Sequence, residues 1–274
     1  MSDAGRADEI AAYYALGFEQ ERLASGAGEL EFVRTQALLE RYLPDPPAVI
    51  ADVGGGPGRY AIWLAERGYQ VHLVDPVALH IEQAVATAKR GSTALASAHT
   101  GDARALGLPD QSVDVVLLLG PLYHLVERAD RVKALAEAGR ACRKGGLVIA
   151  AAISRFASTM DGLRCGYLED AAFAGVAAAD RRTGQHRNPT GNPAYFTTAY
   201  FHRTEELVSE CSQAGLVHEA LLGVEGPAWL LPDLEARLVD RHRRMVLLDA
   251  IASIEAEPTL LGVSAHLLCV ARRP

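Results

Sequence analysis

No apolar run in the 274 residues approaches the roughly 20 needed to cross a bilayer, so a membrane-spanning chain is excluded as an expectation. Cysteine is scarce. Cys142, Cys165, Cys211 and Cys269 are widely spaced, with no C-x-x-C pair, which suits reduced, mostly buried thiols rather than a disulfide framework. Aromatic residues make up only 6% while alanine is abundant, which favours helices packed on a sheet over an all-β sandwich. No block of like charges forms a tail, and the net charge of −7 makes duplex nucleic acid a poor partner, because that partner rewards neutralised phosphates. The nine histidines include no H-E-x-x-H spacing, and no carboxylate cluster supports a metal-assisted site, so no metal is expected. The polar, mixed-charge start from Met1 to Glu9 does not read as a signal peptide, and cytoplasm is the expected compartment.

What the chain does contain is alternation. Residues 6–43 read as helical with a break near Ser25-Gly26-Ala27-Gly28, and Pro44-Asp45-Pro46-Pro47 ends them. Apolar runs at 48–53, 70–74, 113–119 and 147–153, with a weaker one at 93–100, read as strands. Helices at 61–68, 78–90 and 131–143 fall between them. This predicts an α/β fold, doubly wound, with a mostly parallel seven-stranded sheet. Residues 1–47 are expected to form an N-terminal helical lid and 48–274 the main domain, interrupted by a cap at about 155–201 that is too long for a plain loop. Beyond the cap, a helix starting at Thr204, a strand at 216–222, one long helix at 234–255 and a strand at 263–271 complete the pattern, the two strands pairing at the sheet edge.

The most informative segment is Asp52-Val53-Gly54-Gly55-Gly56-Pro57-Gly58-Arg59-Tyr60, between the first strand and its helix. Glycines there allow a sharp turn and a close ligand approach. Arg59 stands where a G-x-G-x-x-G dinucleotide fingerprint wants its third glycine, and no Gly-Lys-Ser/Thr follows to make a P-loop. The next strand ends at Asp75-Pro76, where a carboxylate can accept both ribose hydroxyls of an adenosine. Gly101-Asp102-Ala103 follows the third strand, with Asp102 in place to accept from an adenine amino group. All three sites fall at the carboxyl edge of the sheet, where open α/β folds bind ligands.

At these residues the chain resembles the class I S-adenosylmethionine-dependent methyltransferases, closely over about residues 48–155 and in layout elsewhere. The resemblance implies S-adenosylmethionine as cofactor. Asp52 with Gly54, Gly55, Gly56 and Gly58 would hold its methionine end, beside Tyr60, Leu119 and Gly120; Asp75 and Pro76 the ribose; Asp102 and Ala103 the adenine. The N-terminal helices, carrying Tyr13, Tyr14, Glu21, Arg22 and Arg34, would cover the site, with Tyr14 and Arg22 touching the cofactor.

Gly120-Pro121-Leu122-Tyr123-His124 follows the 113–119 strand, so Tyr123 or His124 can face the methyl group, and His124 can serve as base with its unperturbed pKa near 6.5. The same loop resembles the Asp/Asn-Pro-Pro-Tyr motif of amino-group methyltransferases, but Gly120 replaces the hydrogen-bonding acid or amide and Leu122 the second proline. Transfer to an O, N or C nucleophile of a small molecule is therefore expected. The cap and its flanks would supply specificity through Arg187, Tyr195, Phe196, Tyr200 and Trp229. The alternatives are a protein that holds the cofactor without turning it over and a nicotinamide-dependent oxidoreductase. Oligomeric state stays open, with a homodimer among the options.

Overall fold

Short β-rich apolar runs make the strands Val49–Val53 (β1), Gln70–Asp75 (β2), Ser97–Thr100 (β3), Val113–Leu118 (β4) and Cys142–Ser154 (β5). The computed structural model describes residues 9–10, 13–14, 17 and 19–274; the remainder of the expected N-terminal helix lies outside these described residues. The five strands lie in the order β3-β2-β1-β4-β5, all parallel. Ile50, Ala51, Leu73, Val115, Val116 and Leu117 are completely buried, so both faces of the sheet are covered, as parallel sheets require. Helices Arg59–Glu66, Ala78–Arg90 and Arg128–Ala141 supply that cover as crossovers. From β1 the chain runs outward through β2 and β3, then returns to β4 on the other side of β1. That reversal opens a crevice at the carboxyl ends of β1 and β4.

The remaining strands are Gln185–His186 (β6), Ala199–His202 (β7), Val217–Gly223 (β8) and His266–Arg272 (β9). The expected pairing of the last two is present: β8 pairs with β9, and β9 with β5. Among the described residues the strands number nine, two more than the seven expected. The surplus pair, β6 and β7, comes from the stretch read as a cap: β7 runs parallel to the end of β5 through Ile153–Phe201 and Ser154–His202, and β6 is antiparallel to β7. The same stretch holds helices Ala157–Cys165 and Ala171–Thr183, so it has structure of its own.

Chain contacts group the residues into two compact units. A sheet unit holds Leu43–Ala151, Leu207–Ala220 and Cys269–Pro274; a helical unit holds Met1–Tyr42, Ala152–Glu206 and Leu221–Leu268. Within the helical unit, Leu30 packs with Trp229, Leu234, Leu238, Leu247 and Ile251. The helix expected at 234–255 is two helices, Leu234–Val239 and Arg241–Ile254. Asp240 separates them in an extended conformation (φ −76°, ψ 119°), and its side chain accepts from the Arg243 N–H, capping the second. Local capping overrides an apolar period that continues across the break. Three of the four cysteines are buried and Cys165 is exposed; all four are free thiols. Among the described residues no helix is long and apolar enough to cross a membrane.

Candidate functional site

The glycine turn owes its spacing to backbone geometry. Gly54, Gly56 and Gly58 have φ of 67°, 56° and 82°, the left-handed region that side chains disfavour. Gly55 is required by contact: a Cβ there would lie 2.4 Å from Asp52 Oδ2. The Asp52 side chain thus tucks directly beneath the turn, fully buried, and neither of its oxygens has a hydrogen-bond partner among the described residues. Burial pushes its carboxyl up to about 7, the negative charge of Asp75 adds to the rise, and the pull of the Ala61 amide offsets part of it. A buried carboxylate without partners is rare and calls for an explanation. A cationic group held at the turn would supply one.

Asp75 is tied to the same turn. Its Oδ2 accepts the Gly56 N–H at 2.9 Å, while Oδ1 accepts the Val77 N–H and His80 Nδ1, both at 2.9 Å. The Gly54 N–H donates to Val74 O at 2.7 Å, and the Gly101 N–H to Asp75 O at 3.1 Å, so the loops after β1, β2 and β3 are stitched together. A carboxylate offers about four acceptor sites, and three are used here. One acceptor position, on Oδ2, remains for a further donor. Pro76, next along, is exposed.

Asp102 lies beside this corner but is engaged by its neighbour. Arg104 grips it through Nε at 3.0 Å and Nη2 at 2.6 Å, and the Arg104 N–H adds a third bond at 2.8 Å. That fork holds the Asp102 carboxyl below the ordinary range. Arg104 also reaches Asp130 at 3.0 Å. Ala103 is buried behind it.

On the far side of the turn, a Cβ at Gly54 would strike the Pro121 ring at 2.6 Å, and one at Gly120 would lie 2.9 Å from Gly54 O. Gly120 and Pro121 therefore border the turn. Tyr60 is buried in the first turn of its helix. Tyr123, also buried, stands edge-on to the half-buried His124, with ring centroids 4.8 Å apart. Arg131 holds the end of this loop: Nη1 donates to Leu125 O at 2.9 Å and Val126 O at 2.7 Å, while Nε and Nη2 grip the buried Glu210. His80, Arg104 and Arg131 are thus the supporting residues that sequence reading missed. For the first two the signal was available, since His80 sits five residues after Asp75 and Arg104 two after Asp102. Nothing in the sequence links Arg131 to Glu210.

The residues expected to recognise a substrate all belong to the helical unit, and most have structural employment there. Tyr195 is buried against Phe173 and Tyr167, and its hydroxyl donates to Asp170 at 2.8 Å. The Tyr200 hydroxyl accepts from Arg155 at 3.1 Å. Trp229 is a core residue whose Nε1 donates to Val263 O at 3.0 Å. Phe196 has φ 65° and ψ −171°, a strained conformation for a side-chain-bearing residue, and stacks edge-on to Tyr13, which in turn meets Tyr14. Arg187 is half-buried. Arg22 binds Glu19 and Glu31, and Arg34 is buried on Val224 O and Glu255.

The family model for the methyltransferase domain matches residues 50–146, the span from β1 to the start of β5. No curated protein matches the chain. Among solved structures, a Pyrococcus horikoshii protein superposes with a TM-score of 0.63 at 15% identity, over 95% of this chain and 98% of its own. An S-adenosylmethionine-dependent methyltransferase from Mesorhizobium loti gives 0.59 at 18% identity, over 89% and 100%. Another from Methanosarcina mazei gives 0.58 at 16% identity, over 86% and 96%.

Proposed function

We infer that this enzyme, whose residues 50–146 match the family model for the methyltransferase domain, moves a methyl group to an oxygen, nitrogen or carbon nucleophile of a small molecule. S-adenosylmethionine is its cofactor, and when bound it supplies a methyl group on a positively charged sulfur. The observation that carries the site assignment is the fully buried Asp52 carboxylate under the Gly54–Gly58 turn, with the pull of the Ala61 amide its one stabilising influence.

Asp52 is the counter-charge for the amino end of the cofactor, Asp75 Oδ2 takes a ribose hydroxyl, and Asp102 with Ala103 borders the adenine. The residues around Gly120 keep backbone close to the turn. Tyr123 and His124 hold the acceptor, and His124 takes the proton where the acceptor must lose one, worth about 10²–10⁴-fold. In-line displacement needs little else from the protein: positioning alone contributes on the order of 7–11 kcal/mol. A small-molecule acceptor is supported by the acidic balance of the chain and by the absence of an acid or amide at Gly120.

Incubation with methyl-labelled cofactor and a cell extract tests this reading. Label is expected in the small-molecule fraction, and His124→Gln lowers its rate of appearance about 100-fold while binding of S-adenosylhomocysteine, measured by calorimetry, stays within threefold. Label confined to protein or nucleic acid would overturn the acceptor class, and tight cofactor binding without any product would overturn the transfer itself.

A further inference from the structure

Two glutamates and a histidine remote in sequence converge within the helical unit. Glu31 lies on the Gly26–Tyr42 helix, Glu225 follows β8, and His266 opens β9. His266 Nδ1 donates to Glu225 Oε1 at 2.6 Å and stands 3.9 Å from Glu31 Oε2. One ligating atom from each residue can be chosen so that all three lie within 4.8 Å of one another. These are sheltered groups: the side chains of Glu31, Glu225 and His266 are 13%, 2% and 20% exposed.

The cluster also has the outer support that metal ligands need. Glu225 Oε2 accepts the Ser264 hydroxyl at 2.8 Å and the His266 N–H at 2.9 Å, which fixes the carboxylate plane and leaves Oε1 facing the imidazole. Glu31 is steadied from outside by Arg22, through Nη1 at 2.5 Å and Nη2 at 3.2 Å. Arg22 already touches Glu19 at 2.8 Å, so it can release Glu31 and keep a partner.

The two sheltered carboxylates are matched here by Arg22 and by the imidazole, and one divalent ion would take over that role at a single point. Tetrahedral bonds of about 2.0–2.1 Å to nitrogen and oxygen set ligand atoms roughly 3.3 Å apart. The separations of 2.6 and 3.9 Å bracket that value, and the Glu31–Glu225 pair lies within 4.8 Å. Imidazole with carboxylates suits zinc, cobalt or manganese rather than calcium, and three protein ligands leave a coordination position open.

We propose that Glu31, Glu225 and His266 form a binding site for a first-row divalent cation, made of residues other than those assigned to the cofactor. The test uses the full chain after dialysis against a chelator, titrated with Co²⁺ and Zn²⁺. One equivalent is expected to bind, with the visible absorption of four- or five-coordinate cobalt. Glu225→Gln and His266→Gln are expected to weaken binding at least 100-fold and Glu31→Gln at least tenfold, each checked for native circular dichroism. Cys165→Ser, which removes the exposed thiol, leaves the signal unchanged. Should the two stronger variants fail to fold, pulsed electron resonance on the Mn²⁺-loaded wild type decides: coupling to one imidazole nitrogen that is lost in Glu31→Gln upholds the site. No saturable binding, no nitrogen coupling, or binding indifferent to all three substitutions would overturn it.

Discussion

The glycine-turn corner of the sheet unit and the aromatic-rich part of the helical unit both attracted functional expectations, and they treat their polar groups in opposite ways. At the corner, Asp52 is sealed under the turn with both oxygens unmatched, and Asp75 keeps an acceptor site in reserve. In the helical unit, Tyr195, Tyr200 and Trp229 each spend their polar atom on a neighbour of the same unit. Hydrogen-bonding capacity that folding leaves unused marks a ligand site better than residue type does.

The largest expected effect comes from removing the residue on which the corner depends. Asp75→Ala removes the acceptor of the buried Gly56 N–H, of the half-buried Val77 N–H and of His80 Nδ1, at about 1–3 kcal/mol for each group left stranded. Affinity for S-adenosylhomocysteine should fall at least 100-fold by calorimetry, with a lowered melting temperature. Asp75→Asn keeps one acceptor oxygen and should fall between the two. An unchanged affinity in Asp75→Ala would erase the contrast between the regions.

Asp52 sharpens the contrast because its two roles oppose each other. Its carboxyl ionises near 3.8 in the unfolded chain and at about 7 when folded. Below pH 3.8 it is neutral in both states and costs nothing. Between 3.8 and 7 the unfolded chain releases the proton first, so stability drains as pH rises, and above 7 the loss is constant. Asp52→Asn cannot ionise. Its stability should overtake that of the wild type across this window and exceed it at pH 8 by up to about 4 kcal/mol, from three pKa units at 1.36 kcal/mol each. Cofactor affinity should move the other way, falling about tenfold. Denaturant melts at pH 4, 6 and 8 beside calorimetry check both signs, and a variant that is less stable at pH 8 contradicts the isolation of this carboxylate.

How far the sequence was legible follows from the range of the signals. The turn was readable because left-handed φ values and the Gly55 contact are demands of a few neighbouring residues, and they leave their mark as glycines. The alternation of apolar runs with helices announced a mostly parallel sheet, though not the order of its strands. The break at Asp240 was missed because an Asp that caps a new helix and an Asp on the polar face of a continuous one look alike in sequence. Asp102 shows a nearer failure: its partner Arg104 was two residues away, yet an isolated carboxylate and an ion-paired one look alike in sequence. Glu31, Glu225 and His266, or Arg131 and Glu210, meet only through tertiary packing, so no spacing records them.

Trp229 gives the smallest and most discriminating effect. It was expected at a pocket mouth, but its ring packs with Leu30, Leu234 and Leu238 and its N–H donates to Val263 O. Phenylalanine restores most of the apolar volume and removes only the donor, leaving the Val263 carbonyl unpaired at about 1–2 kcal/mol. Trp229→Phe should therefore lower the melting temperature by a few degrees while KM for the acceptor stays within about twofold. A residue that binds substrate gives the reverse pattern, because its loss strands a ligand contact rather than a carbonyl of the fold. A tenfold rise in KM at unchanged melting temperature would return Trp229 to the recognition surface and remove one of the three side chains on which the contrast between the two regions stands.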